Sequence, residues 1–187
     1  MNTKKITTCA LMIALSTVLM WVSKILPAPW LQGGSTTLAS MVPIIFTGIL
    51  FGTKAGLCAS FAYALIQMLF GFYPPPTRTL TSFILVIMLD YLRAFGVLGL
   101  SGLIFKFSGK RAFSAALAAF SVTVLRYVCH ILSGILIWGV YAPKGQGVLL
   151  YSLIYNGSYM IPEILISTAV TWFIYRTEII KSFFPKA

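Results

Sequence analysis

Apolar runs about as long as a bilayer is thick follow one another through this chain with only short interruptions, and no other feature constrains its fold so strongly. A helix that rises about 1.5 Å per residue needs roughly 20 residues to cross the hydrocarbon core of a membrane. Six segments, 6–26, 38–53, 55–72, 80–107, 112–139 and 148–175, meet or approach that length. In lipid the backbone N–H and C=O groups must be satisfied within each segment, so such runs fold as helices. With 59% of its 187 residues hydrophobic and 9% charged, the chain offers too little polar surface for a soluble globular domain. The expected architecture is an all-α integral membrane protein, a six-transmembrane-helix bundle forming a single domain over residues 1–187.

The breaks between the runs set its orientation. PAPWLQGGSTT and FYPPPTR are breaker-rich loops, whereas Gly52, Lys54 and Gly56 make a tight hairpin between the second and third spans. Lys4, Lys5, Lys54, Lys106, Lys110, Arg111, Arg176, Lys181 and Lys186 fall on the side where the chain begins, against Lys24, Arg78 and Lys144 on the other. The positive-inside rule then predicts that the N- and C-termini are both cytoplasmic. The net charge of +11 is scattered over helix ends rather than gathered with aromatics in a stripe, so no nucleic-acid partner is expected. The outer loops, 30–37, 73–79 and 142–147, are rich in Trp, Tyr, Pro and Gly, which suits an aromatic belt at the headgroups or the rim of a pocket.

Five ionisable residues stay inside the spans: Asp90, Arg93, Arg126, His130 and Glu163. Each costs about 2 to 3 kcal/mol in the hydrocarbon unless paired or wetted. At helical rise Asp90 lies about 15 Å below the outer end of its span, His130 about 14 Å and Asn156 about 12 Å, so three polar groups on three helices share one level. An acid, a histidine and an amide at one depth, beneath aromatic loops, form the floor of a pocket for a small polar or cationic ligand. Arg93, Arg126 and Glu163 form a second layer roughly 20 Å down, where Glu163 is expected to neutralise an arginine. Along the fifth span Arg126, His130, Gly134 and Trp138 recur every four residues as one stripe. Gly134 leaves room there for a flat ring or for a neighbouring helix, and Trp138 serves as a stacking face or as an interfacial anchor.

Two catalytic readings fail on geometry. Gly99-Leu100-Ser101-Gly102 matches the GxSG pattern of intramembrane serine proteases, with His130 as the only possible histidine base. Ser101 lies about 9 Å from the cytoplasmic end of its helix and His130 about 27 Å from that of its own, far beyond the roughly 3 Å contact a nucleophile and base require. A single His, two intramembrane acids and the absence of HExxH leave too few ligands for a metal. The chain is therefore read as a non-enzyme with no cofactor.

WLQGGSTTLASMVPI, LDYLRAF, RYVCHILSGILIWGVYAPKG and YSLIYNGSYMIPE, in that order and over nearly the whole chain, resemble the thiamine-specific substrate-binding component of energy-coupling factor vitamin transporters. The resemblance implies a multi-pass protein of the bacterial plasma membrane, in contact with lipid, that captures extracellular thiamine. It also implies a transmembrane coupling protein and two cytoplasmic ATPases as partners, and this chain carries no Walker A motif of its own. Carried over motif by motif, ligand contacts fall on Trp30, Asp90, Tyr91, Arg126, His130, Gly134, Trp138, Tyr151 and Asn156. The resemblance likewise assigns Ala10 and Ala14, an AxxxA pair on the first helix, to docking on the coupling protein; without it, ordinary packing of small residues would explain them. A sister component binding another vitamin, or a thiamine precursor such as hydroxymethylpyrimidine, is the alternative.

Overall fold

The computed structural model describes residues 3–25, 34–109, 111–177 and 180. They fold as α1 (Thr3–Ser23), α2 (Val42–Phe51), α3 (Thr53–Gly71), α4 (Leu80–Phe107), α5 (Ala112–Leu136) and α6 (Val148–Tyr175). No strand occurs among the described residues. Five helices are long and apolar enough to span a membrane, and α2 is the exception. With 10 residues, α2 reaches only about 15 Å, and eight of them are buried. An apolar run that is hydrophobic all round belongs in the interior of a bundle. The segment 38–53 is thus a half-length central helix, preceded by a non-helical stretch that descends to it.

Gly52, at φ 85°, reverses the chain between α2 and α3 in a backbone conformation that side chains disfavour. Where α2, α3 and α4 meet, the backbones nearly touch. A Cβ on Gly56 would stand 2.7 Å from the Gly99 carbonyl and 2.8 Å from the Gly48 Cα, and one on Gly102 would strike the Gly48 carbonyl. Ser101 closes this junction by donating to the Ile45 carbonyl at 2.8 Å. The GLSG motif is therefore a helix-packing device of the kind small residues provide in membranes.

Contacts between helix ends show how the chain alternates. Lys5 Nζ donates to the Phe51 carbonyl at one end of the bundle, and Lys24 Nζ to the Phe70 carbonyl at the other. α5 and α6 make the most extensive helix pair, while α1 lies at the periphery with only Cys9, Ser16, Met20 and Ser23 buried. Ala10 and Ala14 are exposed on its outer face beside Leu11, Leu15 and Val18, so internal packing does not account for them.

Candidate functional site

α4 changes winding where it approaches α5: residues Ile87–Arg93 form a π-helical turn. Such turns are rare and often accompany functional sites, because the wider loop of backbone redirects side chains. This one carries Asp90 toward α5. Asp90 Oδ1 lies 3.1 Å from His130 Nδ1, and Oδ2 accepts from Ser133 Oγ at 2.6 Å and from Trp138 Nε1 at 3.0 Å. With the Asp90 oxygen as acceptor, the hydrogen of this contact sits on His130 Nδ1. Two of the three donors come from α5 itself. Trp138 follows the end of that helix in a short 3₁₀ turn, Trp138–Tyr141, so the four-residue stripe breaks after Gly134 although its last member still reaches the acid.

A cavity of about 370 Å³ opens at this level. Asp90, Tyr91, Arg126, His130, Gly134, Trp138, Tyr151 and Asn156 all line it. Trp30 lies outside the described residues. His130 presents a buried Nε2 with no hydrogen-bond partner among the described residues. The Asn156 amide is engaged internally: Nδ2 donates to the His130 carbonyl at 3.2 Å and the Ser152 carbonyl at 2.9 Å, and Oδ1 accepts from Tyr159 Oη at 2.6 Å. Tyr91 Oη donates to the Gly71 carbonyl and accepts from the Tyr73 amide, tying the α3–α4 loop to the cavity wall. A Cβ on Gly134 would collide with the Ser152 side chain and stand 3.0 Å from Asn156 Nδ2, so this glycine admits α6.

The deeper layer departs from expectation. Glu163 does not pair with an arginine: its carboxylate is bonded by Thr37 and Ser167, and no lysine or arginine among the described residues comes within ion-pairing distance. Depth along a helix places charges at one height but leaves their direction around the axis open, and Glu163 points at the segment before α2. Arg126 sits instead between the Met41 thioether, 2.8 Å from Nη1, and the Phe95 ring, whose centroid is 4.3 Å from the guanidinium carbon. Its Nε is buried and has no partner among the described residues. Arg93 is exposed on the bundle surface.

Further lining residues escape a reading by motif and depth. Lys24 lies at the rim with its ammonium 3.8 Å from the Trp21 ring centroid. Tyr155 and Tyr159 continue an i, i+4 series from Tyr151 along α6, a stripe visible in the sequence once α6 is known to face the cavity. Tyr73 tilts against Trp138 with 5.5 Å between ring centroids. The result is an aromatic-walled chamber with Asp90 and Arg126 toward its floor, suited to a small ligand that carries delocalised positive charge and hydrogen-bonding edges. No cluster of metal-ligating side chains occurs among the described residues. Ser101 is bonded to α2, and His130 is bonded to Asp90, so they form no nucleophile–base pair.

The family Thia_YuaJ, described as thiamine transporter protein, matches residues 6–182. A curated relative, thiamine transporter ThiT of Bacillus subtilis, is 34% identical over 157 residues, covering 78% of this chain and 77% of that protein. Thiamine transporter ThiT of Lacticaseibacillus paracasei is 37% identical over 93 residues, 45% of this chain and 44% of that one. The solved structure of ThiT from Listeria monocytogenes superposes with a TM-score of 0.69 at 24% identity, covering 98% of this chain and all of that one, a likeness of fold.

Proposed function

The chain belongs to the thiamine transporter family and is a multi-pass bacterial membrane protein of thiamine uptake; from that premise we propose that it is the substrate-capturing subunit of an energy-coupling factor complex, with the chamber around Asp90 as its thiamine site. The observation that carries this reading is a carboxylate set in an aromatic chamber, with no lysine or arginine among the described residues paired to it. Thiamine's thiazolium is a permanent cation with delocalised charge, which such a chamber stabilises without stripping a tight hydration shell. Its aminopyrimidine carries a donor beside acceptors, for which the unpartnered His130 Nε2 and Arg126 Nε are matching groups. Asn156 and Gly134 serve by holding α6 against α5, and Trp138, Tyr91 and Tyr151 by supplying ring faces. Trp30, outside the described residues, is carried over from the family resemblance as a further ligand contact.

In this reading both termini are cytoplasmic, the cavity faces outward, and ATP hydrolysis occurs on two partner subunits. The exposed Ala10 and Ala14 leave a shallow track on α1 along which a coupling-protein helix packs closely. The decisive experiment is a tryptophan-fluorescence titration of the detergent-solubilised protein with thiamine and with hydroxymethylpyrimidine, which lacks the cation. Thiamine binds far more tightly in the wild type, and Asp90→Asn removes most of the difference. Equal affinity for the two ligands would assign the protein to another substrate. Ala10→Leu with Ala14→Leu abolishes copurification with the coupling protein and leaves thiamine affinity unchanged; retained copurification would remove α1 from the interface.

A further inference from the structure

Residues 34–41, which run from the second half of the first outer loop to α2, lie along α6 as a strap. Its contacts climb one face of that helix at four-residue intervals. The Gly34 amide donates to Tyr155 Oη at 3.4 Å, Thr36 Oγ1 to the Tyr159 carbonyl at 3.0 Å, and Thr37 to Glu163. Pro162 lies within this stretch of α6 and has no N–H to offer the helix ladder. The Glu163 contact is the densest: Oε2 accepts the Thr37 amide at 2.5 Å, and the Thr37 hydroxyl stands 2.9 Å from both carboxylate oxygens. Ser40 Oγ donates in turn to Thr37 Oγ1 at 2.8 Å, and Ser167 Oγ donates to Oε1 at 3.3 Å. Glu163 is 0% exposed.

The strap matters because one end lines the cavity and the other holds a residue that does. Gly34, Ser35, Thr36 and Thr37 line it directly, and Met41, just beyond, holds the Arg126 guanidinium by its thioether. Between the two, Ala39 is kept at φ 59°, a backbone conformation that a non-glycine residue adopts only when its surroundings impose it. An amide donating to a buried carboxylate is among the stronger hydrogen bonds a protein makes, and no cation among the described residues competes for this one. We propose that Glu163 is a positioning residue for ligand retention: by clamping Thr37 it holds the 34–41 strap against α6, keeping one wall of the cavity shut and Met41 on Arg126. The inference rests on the thiamine reading above and adds to it the group that sets the rate of release.

Stopped-flow fluorescence on the full-length protein tests it with Glu163→Gln, Thr37→Val and Thr37→Ser. Glu163→Gln removes the charge and leaves a single acceptor oxygen for the Thr37 N–H, its hydroxyl and Ser167, and Thr37→Val loses the hydroxyl. Both should raise the thiamine dissociation rate about tenfold while leaving the association rate within about threefold, the usual pattern when a contact holds the bound state. Thr37→Ser, which keeps the hydroxyl, should retain the wild-type rate. A second readout is the reaction of Ser35→Cys with a water-soluble maleimide without ligand. Labelling should be faster when Glu163→Gln is added, whatever ligand the cavity takes. Unchanged dissociation in both Glu163→Gln and Thr37→Val, equal acceleration in Thr37→Ser, or unchanged labelling would overturn the proposal. Failure of the wild type to bind thiamine, with labelling still faster in Glu163→Gln, would overturn only the reading of the ligand.

Discussion

Among the described residues two carboxylates lie inside the helix bundle, and the chain treats them in opposite ways. Asp90 takes its donors from His130, Ser133 and Trp138, all on α5 or just beyond it, and keeps 16% of its side chain accessible at the wall of an open chamber. Glu163 takes most of its donors from Thr37, on a non-helical segment, and keeps no access at all. Neither has a lysine or arginine partner among the described residues. A carboxylate withdrawn from water needs compensation, and here dipolar donors supply it in both places. What separates a site from a staple is therefore access rather than depth or charge.

The comparison breaks most visibly at Asp90. Asp90→Asn keeps the shape but removes the charge and turns an acceptor into a donor facing donors; titration should show thiamine affinity falling by about 3 kcal/mol, on the order of a hundredfold. A loss below about fivefold would mean that access is not what distinguishes this acid. Gly134→Ala comes next, since its methyl meets Ser152 and Asn156 where α6 presses on α5. Overpacking there should cost about 1 to 3 kcal/mol of stability, read as a lower melting temperature in detergent along with weaker binding. Unchanged melting would return Gly134 to the role of ligand space. Ser133→Ala removes one of the three donors on Asp90 and should weaken thiamine binding by about 1 kcal/mol, roughly fivefold. An equal effect on thiamine and on hydroxymethylpyrimidine would show that Ser133 shapes the chamber without tuning the charge. The smallest effect belongs to Ser101→Ala, which removes a packing hydroxyl outside the cavity lining and should leave thiamine affinity within about twofold.

Much of the site was legible because helical rise converts residue number into depth. Asp90, His130 and Asn156 were assigned to one level, and the structure joins them: the acid touches the imidazole, and the amide touches the same residue's carbonyl. The same arithmetic put Glu163 beside the arginines and was misleading about their pairing, because height along an axis carries no information about direction around it. Tyr155, Tyr159 and Lys24 went unassigned for the same reason. The π turn at Ile87–Arg93 has no signature in composition, and the ten-residue α2 is as apolar as a spanning helix.

The sequence by itself determined the solvent of this protein, the succession of apolar helices among its described residues and the heights of its polar residues, because lipid admits only self-satisfied backbones and helices have a constant rise. The tertiary structure decided which polar groups face a cavity, which acid is sealed by the strap and which arginine is left with an unmatched donor. Those outcomes depend on helix rotation and on a non-helical segment, and both are set by packing between helices, through the glycines that let α2, α3 and α4 close together and the one that lets α6 close on α5.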